Sequence, residues 1–133
     1  MYIIICLDDN NGLAFNHRRQ SQDRIVAEDI RKTVGEKKLW ITDYSRKLFQ
    51  AVSNLEISEN QKEKAKEGEY VFQELETLDT GDKRIEQFII YRWNRVYPAD
   101  VSVEIGAEWK LTETEEFSGF SHEKITKEIY CRE

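Results

Sequence analysis

The chain has 133 residues, which fits a single domain over residues 1–133 and leaves little room for a second core. Its 26 acidic and 20 basic side chains leave a net charge of −6, which disfavours nonspecific attraction to nucleic acid and to anionic membranes. Hydrophobic residues make up 39 %, no apolar run nears membrane-spanning length, and the run Ile3 to Leu7 is too short for a signal peptide, so the expected location is cytoplasmic.

Tyr2 to Leu7 is a continuous apolar run without alternation, which predicts a strand buried on both faces of a parallel sheet. Cys6 inside it reads as a small core residue, and a disulfide with Cys131 is not expected in a reducing compartment. Asp8 to Gly12 is turn-prone. Ser21 is placed to cap a helix with Asp23 in its first turn, Val26, Ile30 and Val34 on one face, and Gly35 as the C′ residue. Leu39 to Ile41 is a second short buried strand. Asp43 or Ser45 then caps a second helix, with Leu48, Val52 and Leu55 facing inward. Ser58 and Gln61 have capping-box spacing, which predicts a short exposed helix in the polar stretch before Glu69.

Tyr70 to Phe72 is the third strand, and Thr77 to Asp82 a turn or loop. Ile85 to Trp93 is the longest strand candidate. Val101, Val103 and Ile105 alternate, as do Trp109 with Leu111 and Ile125 with Lys127, Ile129 and Cys131. The chain thus begins as α/β and ends in strands without intervening helices.

The most unusual stretch is Asn16 to Arg24, a basic polar patch at a helix start on an acidic protein. Free N–H groups there favour an anion, and Arg18 and Arg19, with Ser21 and Asp23 beside them, could clamp a carboxylate or phosphate. The alternative is a solvated loop whose arginines pair with Asp8, Asp9 or Glu28. His17 with Asp23 is the candidate acid–base pair, against a surface histidine with no such role. Asp8 and Asp9 read either as a divalent-metal site or as turn formers; as neighbours on an extended chain they point opposite ways. Tyr91 to Arg95 mixes aromatic and basic residues, for base stacking or for a core strand with exposed Arg92. His122 reads as a loop residue. Two His and two Cys at wide spacing form no zinc signature, and no metal is expected.

The opening, IIICLDDNNGLAFN followed by a helix, resembles dihydrofolate reductase: an apolar strand, an acidic and Asn-rich turn with Gly, a flexible loop, then a helix. The end resembles it more closely, with RVYPADVSVEI, EWKLTETEEF and SHEKITKEIYCRE in place of the family's strand, aromatic-Pro corner, Trp-centred strand and final strand. The resemblance implies a reduced dihydrofolate reductase-like three-layer α/β sandwich, with a mostly parallel sheet and an antiparallel C-terminal hairpin. The opening also resembles short proteins labelled ribonuclease Z, whose true members need a dense His and Asp motif that two histidines do not supply.

The departures bear on function. Where the family has Gly-Arg-x-Thr-Trp for the cofactor's phosphates, this chain has Thr42, Asp43, Tyr44, Ser45 and Arg46, and the Arg has become an acid. Gln73 and Glu74 stand where the family has a Gly-Gly pair. The family's middle strand and helix look deleted between Phe49 and Tyr70. These losses argue against NADPH, and no cofactor is expected. On the substrate side Asp23 is the one matching acid; the family's Trp and Pro are absent. Three functions follow in order: a binding or interaction protein holding a small anionic ligand or a protein partner; a cofactor-independent enzyme running acid–base chemistry in the same cleft; a residual reductase.

Overall fold

The computed structural model describes residues 1–133. Ten strands run in chain order: β1 Tyr2–Leu7, β2 Gly12–Phe15, β3 Arg18–Arg19, β4 Leu39–Ile41, β5 Leu55–Ile57, β6 Tyr70–Phe72, β7 Gln87–Arg92, β8 Val101–Ser102, β9 Trp109–Phe117 and β10 Ile125–Arg132. Helix α1, Arg24–Val34, precedes β4; a 3₁₀ helix, Asp43–Phe49, follows it; α2, Gln61–Lys64, is one turn long. The main sheet has the order β5-β4-β6-β1-β7-β10-β9. Its first five strands are parallel, and β10 pairs antiparallel with both β7 and β9. No helix is long and apolar enough to cross a membrane.

The unbroken apolar run of β1 has a direct cause: the strand is interior, with β6 and β7 on either side, and both of its faces are covered. Ile3, Ile5 and Leu7 pack on one face with Leu13, Phe88, Ile90 and Trp109, beneath the small sheet β3-β2-β8 and the loops around Leu78 and Ile85. Ile4 points the other way, into the cluster that Val26, Ile30 and Val34 of α1 cover. Each of those three helix side chains is almost fully buried, worth about 1.5–3 kcal/mol apiece. Gly35 ends α1 at φ 61°, its N–H bonded to the Arg31 carbonyl.

Several expectations need correction. Ser21 does not cap α1: Asp23 is the N-cap, its carboxylate accepting the Ile25 N–H at 2.9 Å, and the helix starts at Arg24. The Ser21 hydroxyl is engaged elsewhere. The second helix is a 3₁₀ segment that stops at Phe49, because that ring packs edge-on against Phe72, 4.8 Å between centroids, and the chain must turn back to the sheet. Leu55 therefore lies in β5 rather than on a helix. Between Phe49 and Tyr70 the chain holds the short strand β5, paired parallel with β4, and the one-turn helix α2. Asn60, not Ser58, precedes α2, and Gln61 is buried because its amide reaches Gln73 at 2.8 Å. β7 begins at Gln87, since Ile85 closes a turn onto Asp82, and β9 is the longest strand. The alternation after Val101 gives only the two-residue β8, which pairs with β2 in the small sheet.

Candidate functional site

The loop between β9 and β10 folds over the N-terminus of α1, and Asp23 is the joint. Its Oδ1 accepts the N–H groups of Ile25 and Phe120, each at 2.9 Å, and its Oδ2 accepts the Ser121 N–H at 2.9 Å. His122 Nδ1 reaches the same Oδ2 at 2.9 Å. Burial alone would raise the Asp23 carboxyl's pKa; the donors from Phe120, His122, Ser121 and Ile25 outweigh it and hold the group well below the usual carboxylate range. Gly119 makes this closeness attainable, because a Cβ there would stand 2.6 Å from Asp23 Oδ2.

An ionised carboxylate can only accept, so His122 donates its Nδ1–H to Asp23 and turns Nε2 the other way. Ser21 Oγ lies 3.0 Å from that nitrogen and the Tyr97 hydroxyl 3.2 Å. The Trp93 ring stacks on the imidazole, 4.7 Å between centroids and 25° between planes, and fixes its orientation. His122 and Asp23 are both buried.

A second network lies across the floor. Arg19 clamps Glu74 with two hydrogen bonds, at 2.7 and 3.0 Å, and Ser45 donates to the same carboxylate at 2.6 Å. The Arg19 guanidinium also covers the Tyr44 ring at 4.3 Å. Cys6 lies between the two networks. Burial, and then the nearby Glu74 charge, push its thiol pKa far up against the opposing pull of Arg19, so it stays protonated.

Two clefts flank these groups. One of about 620 Å³ runs between α1 and the 3₁₀ helix, with Ala27, Leu48, Phe49 and Val52 as apolar lining and Arg19, Arg24, Arg31 and Lys47 as cations. A hollow of about 20 Å³ adjoins it, lined by Cys6, Ser21, Trp93 and neighbours, and shares Gln22, Asp23, Ala27, Leu48 and Phe49 with it. The other cleft, about 390 Å³, lies beyond β6 and is lined by Glu59, Glu63, Glu74 and Glu76 with Lys62 as its one cation.

Of the residues singled out in the sequence, Arg19, Ser21 and Asp23 come together here. Arg18 is exposed and lines neither cleft. His17 is exposed at φ 58° in the turn between β2 and β3, and Asp23 has His122 as its imidazole partner, not His17. The positive φ of Asn16 and of His17 makes a tight turn there, which directs His17 to solvent. Asp8 is buried and spent on structure, accepting from Asn10, Gly12, Gln20 and Tyr97, while Asp9 is exposed. Nowhere do three or more His, Cys, Asp or Glu side chains gather as a metal site. Tyr91 and Trp93 are buried in the core. His122 and Glu74 were not seen as site members, although the short loop SGFSH between two strands at one end of a sheet was the available signal for the histidine.

No family model matches the chain, and no curated protein matches it. Among solved structures it is similar to a dihydrofolate reductase from Enterococcus faecalis complexed with NADP(H) and RAB-propyl. The TM-score is 0.64 at 10 % identity, covering 98 % of this chain and 95 % of that one. The likeness establishes a dihydrofolate reductase-like fold, a mixed α/β architecture with a mostly parallel central sheet and antiparallel C-terminal strands. It gives no support to the ribonuclease Z resemblance.

Proposed function

We propose that this dihydrofolate reductase-like fold is a small-molecule binding protein, and that its ligand is an anion with a flat apolar body held between α1 and the 3₁₀ helix. One observation carries this. On a protein of net charge −6, the 620 Å³ cleft gathers four cations, and two of them, Arg24 and Lys47, have no carboxylate partner. Arg31 is paired with Glu28 and Arg19 with Glu74, so Arg24 and Lys47 are the charges free to meet a ligand. The Arg24 guanidinium lies over the exposed Phe120 ring at 4.2 Å, which pre-orients it at the rim. The apolar lining suits a ring, since small-molecule sites combine an apolar body with a few placed polar groups.

The residues present do not fit a nicotinamide dinucleotide. The cleft beyond β6 carries four glutamates against one lysine, a lining that repels phosphates. Gln73 and Glu74, where the fold family has glycines, fill the approach with buried side chains engaged by Gln61, Glu76, Arg19 and Ser45. We place the protein in the cytosol, in keeping with its two free cysteines, and leave nucleic acid and membranes out of its partners on charge.

Calorimetric titration of the purified protein with a panel of aromatic carboxylates and aryl phosphates tests the site. At least one should bind at micromolar concentration, and replacing both Arg24 and Lys47 with Ala should weaken it by 10-fold or more, whereas Arg18→Ala should not. A panel that fails to bind, or a double variant with unchanged affinity, would reject the assignment.

A further inference from the structure

We propose that Ser21 is a nucleophile, and that Ser21, His122 and Asp23 hydrolyse small acyl esters at the floor of the cleft. The order and spacing are those of an activated serine: Oγ to Nε2 at 3.0 Å, Nδ1 to Oδ2 at 2.9 Å. Three features separate this chain of contacts from a mere latch. Asp23 already holds the β9–β10 loop through the Phe120 and Ser121 N–H groups, so neither Ser21 nor the Nε2 side of His122 is needed for that closure. The imidazole is stacked and aimed by Trp93. Ser21, unlike its two partners, is only half-buried and lines a hollow that shares Gln22, Asp23, Ala27, Leu48 and Phe49 with the main cleft.

The step balances within these groups. As Ser21 Oγ bonds to the ester carbonyl carbon, its proton passes to His122 Nε2, and Asp23 stabilises the imidazolium without taking the proton. The tetrahedral intermediate collapses, the bond to the alcohol oxygen breaks, and the alcohol leaves with the proton from Nε2. Water then gives its proton to Nε2, adds to the acyl carbon, and Ser21 departs with that proton as the acid is released. The Tyr97 hydroxyl, 3.2 Å from Nε2, offers the protonated ring a second acceptor and keeps it in place. Cys6 borders the same hollow but is not the nucleophile, because its buried thiol stays protonated.

Size sets the substrate class. The hollow beside Ser21 is about 20 Å³, near the room one water-sized group needs, so the acyl group is about as small as acetyl. The alcohol portion lies in the 620 Å³ cleft, which accepts a flat aryl group; that half of the assignment rests on the cleft described above. Hydrolysis needs no anion, so the two readings fail separately.

The test is p-nitrophenyl acetate hydrolysis by the whole chain, with p-nitrophenyl hexanoate for comparison. The acetate should be hydrolysed at least 10-fold faster than the hexanoate. Ser21→Ala and His122→Gln should each lose at least 100-fold, while His17→Ala keeps the rate. As a readout independent of any variant, a fluorophosphonate should modify the wild-type protein, and peptide mapping should put the adduct on Ser21. Hydrolysis that survives Ser21→Ala, no turnover above buffer, or no adduct on Ser21 would each overturn the proposal.

Discussion

His122 Nδ1 meets Asp23 Oδ2 at 2.9 Å across 99 positions of chain, joining the loop of the C-terminal hairpin to the first turn of α1. The carboxylate's lowered pKa links this contact to pH. A group depressed on folding stabilises the protein above its unfolded value, and that contribution is lost as pH falls through the folded value. Asp23 and Asp8 are both depressed below their ordinary 3.8, so stability should hold at neutral pH and fall steadily below about pH 4. Urea midpoints at stepped pH measure this. Asp23→Asn should cost about 1–3 kcal/mol at pH 7 and show a shallower acid limb than wild type. Parallel limbs for the two proteins would mean that Asp23 is not the linked group.

Gly119→Ala should disturb the same joint from the other side. The added methyl would stand 2.6 Å from Asp23 Oδ2 and 2.9 Å from the His122 carbonyl oxygen, and one of those atoms is backbone. A loss of about 1–3 kcal/mol is expected from such overpacking. Because Trp93 stacks on His122, tryptophan emission should shift in the folded variant. Wild-type stability and emission together would show that the loop relaxes freely.

Arg19→Ala should act on the fold first. Glu74 is buried and would keep only the Ser45 hydroxyl as a partner. Leaving a buried carboxylate short of donors costs roughly 1–3 kcal/mol, with more for a full charge. Pairing the change with Glu74→Gln should recover part of the loss in a double-mutant cycle. Additive losses would place the interaction energy near zero.

NADPH should not bind in the micromolar range, as read by quenching of protein fluorescence. Exchanging Glu63 and Glu76 for Lys reverses two charges of the cleft beyond β6, and any weak affinity for phosphate should then rise and fade with added salt. Micromolar binding to the unaltered chain would contradict the electrostatic reading of that cleft.

Elements whose signal is local were legible in the sequence. The apolar run of β1, the four-residue spacing of Val26, Ile30 and Val34, and the glycine after α1 each report their own surroundings. Asp23 was legible as an acid at a helix start, although its capping role was credited to Ser21. His122 was not, because nothing near it in sequence hints that the loop lands on α1; Asp23 and Trp93 reach it only through the sheet order. The 3₁₀ segment was misread for a related reason. Its residues have helical spacing, but the packing of Phe49 on Phe72 and the return to β5 end it early.

The position of β1 carries a kinetic consequence. Strand β1 has its partners at residues 70–72 and 87–92, and β7 keeps an open flank until β10 closes it. Such non-local pairings must meet their loop-closure entropy before they gain contact energy, which slows folding and leaves strand flanks exposed on the way. A chain stalled before residue 122 would have the acid and the hydroxyl but no imidazole between them, so the hydrolysis proposed for Ser21 begins only when the last hairpin closes.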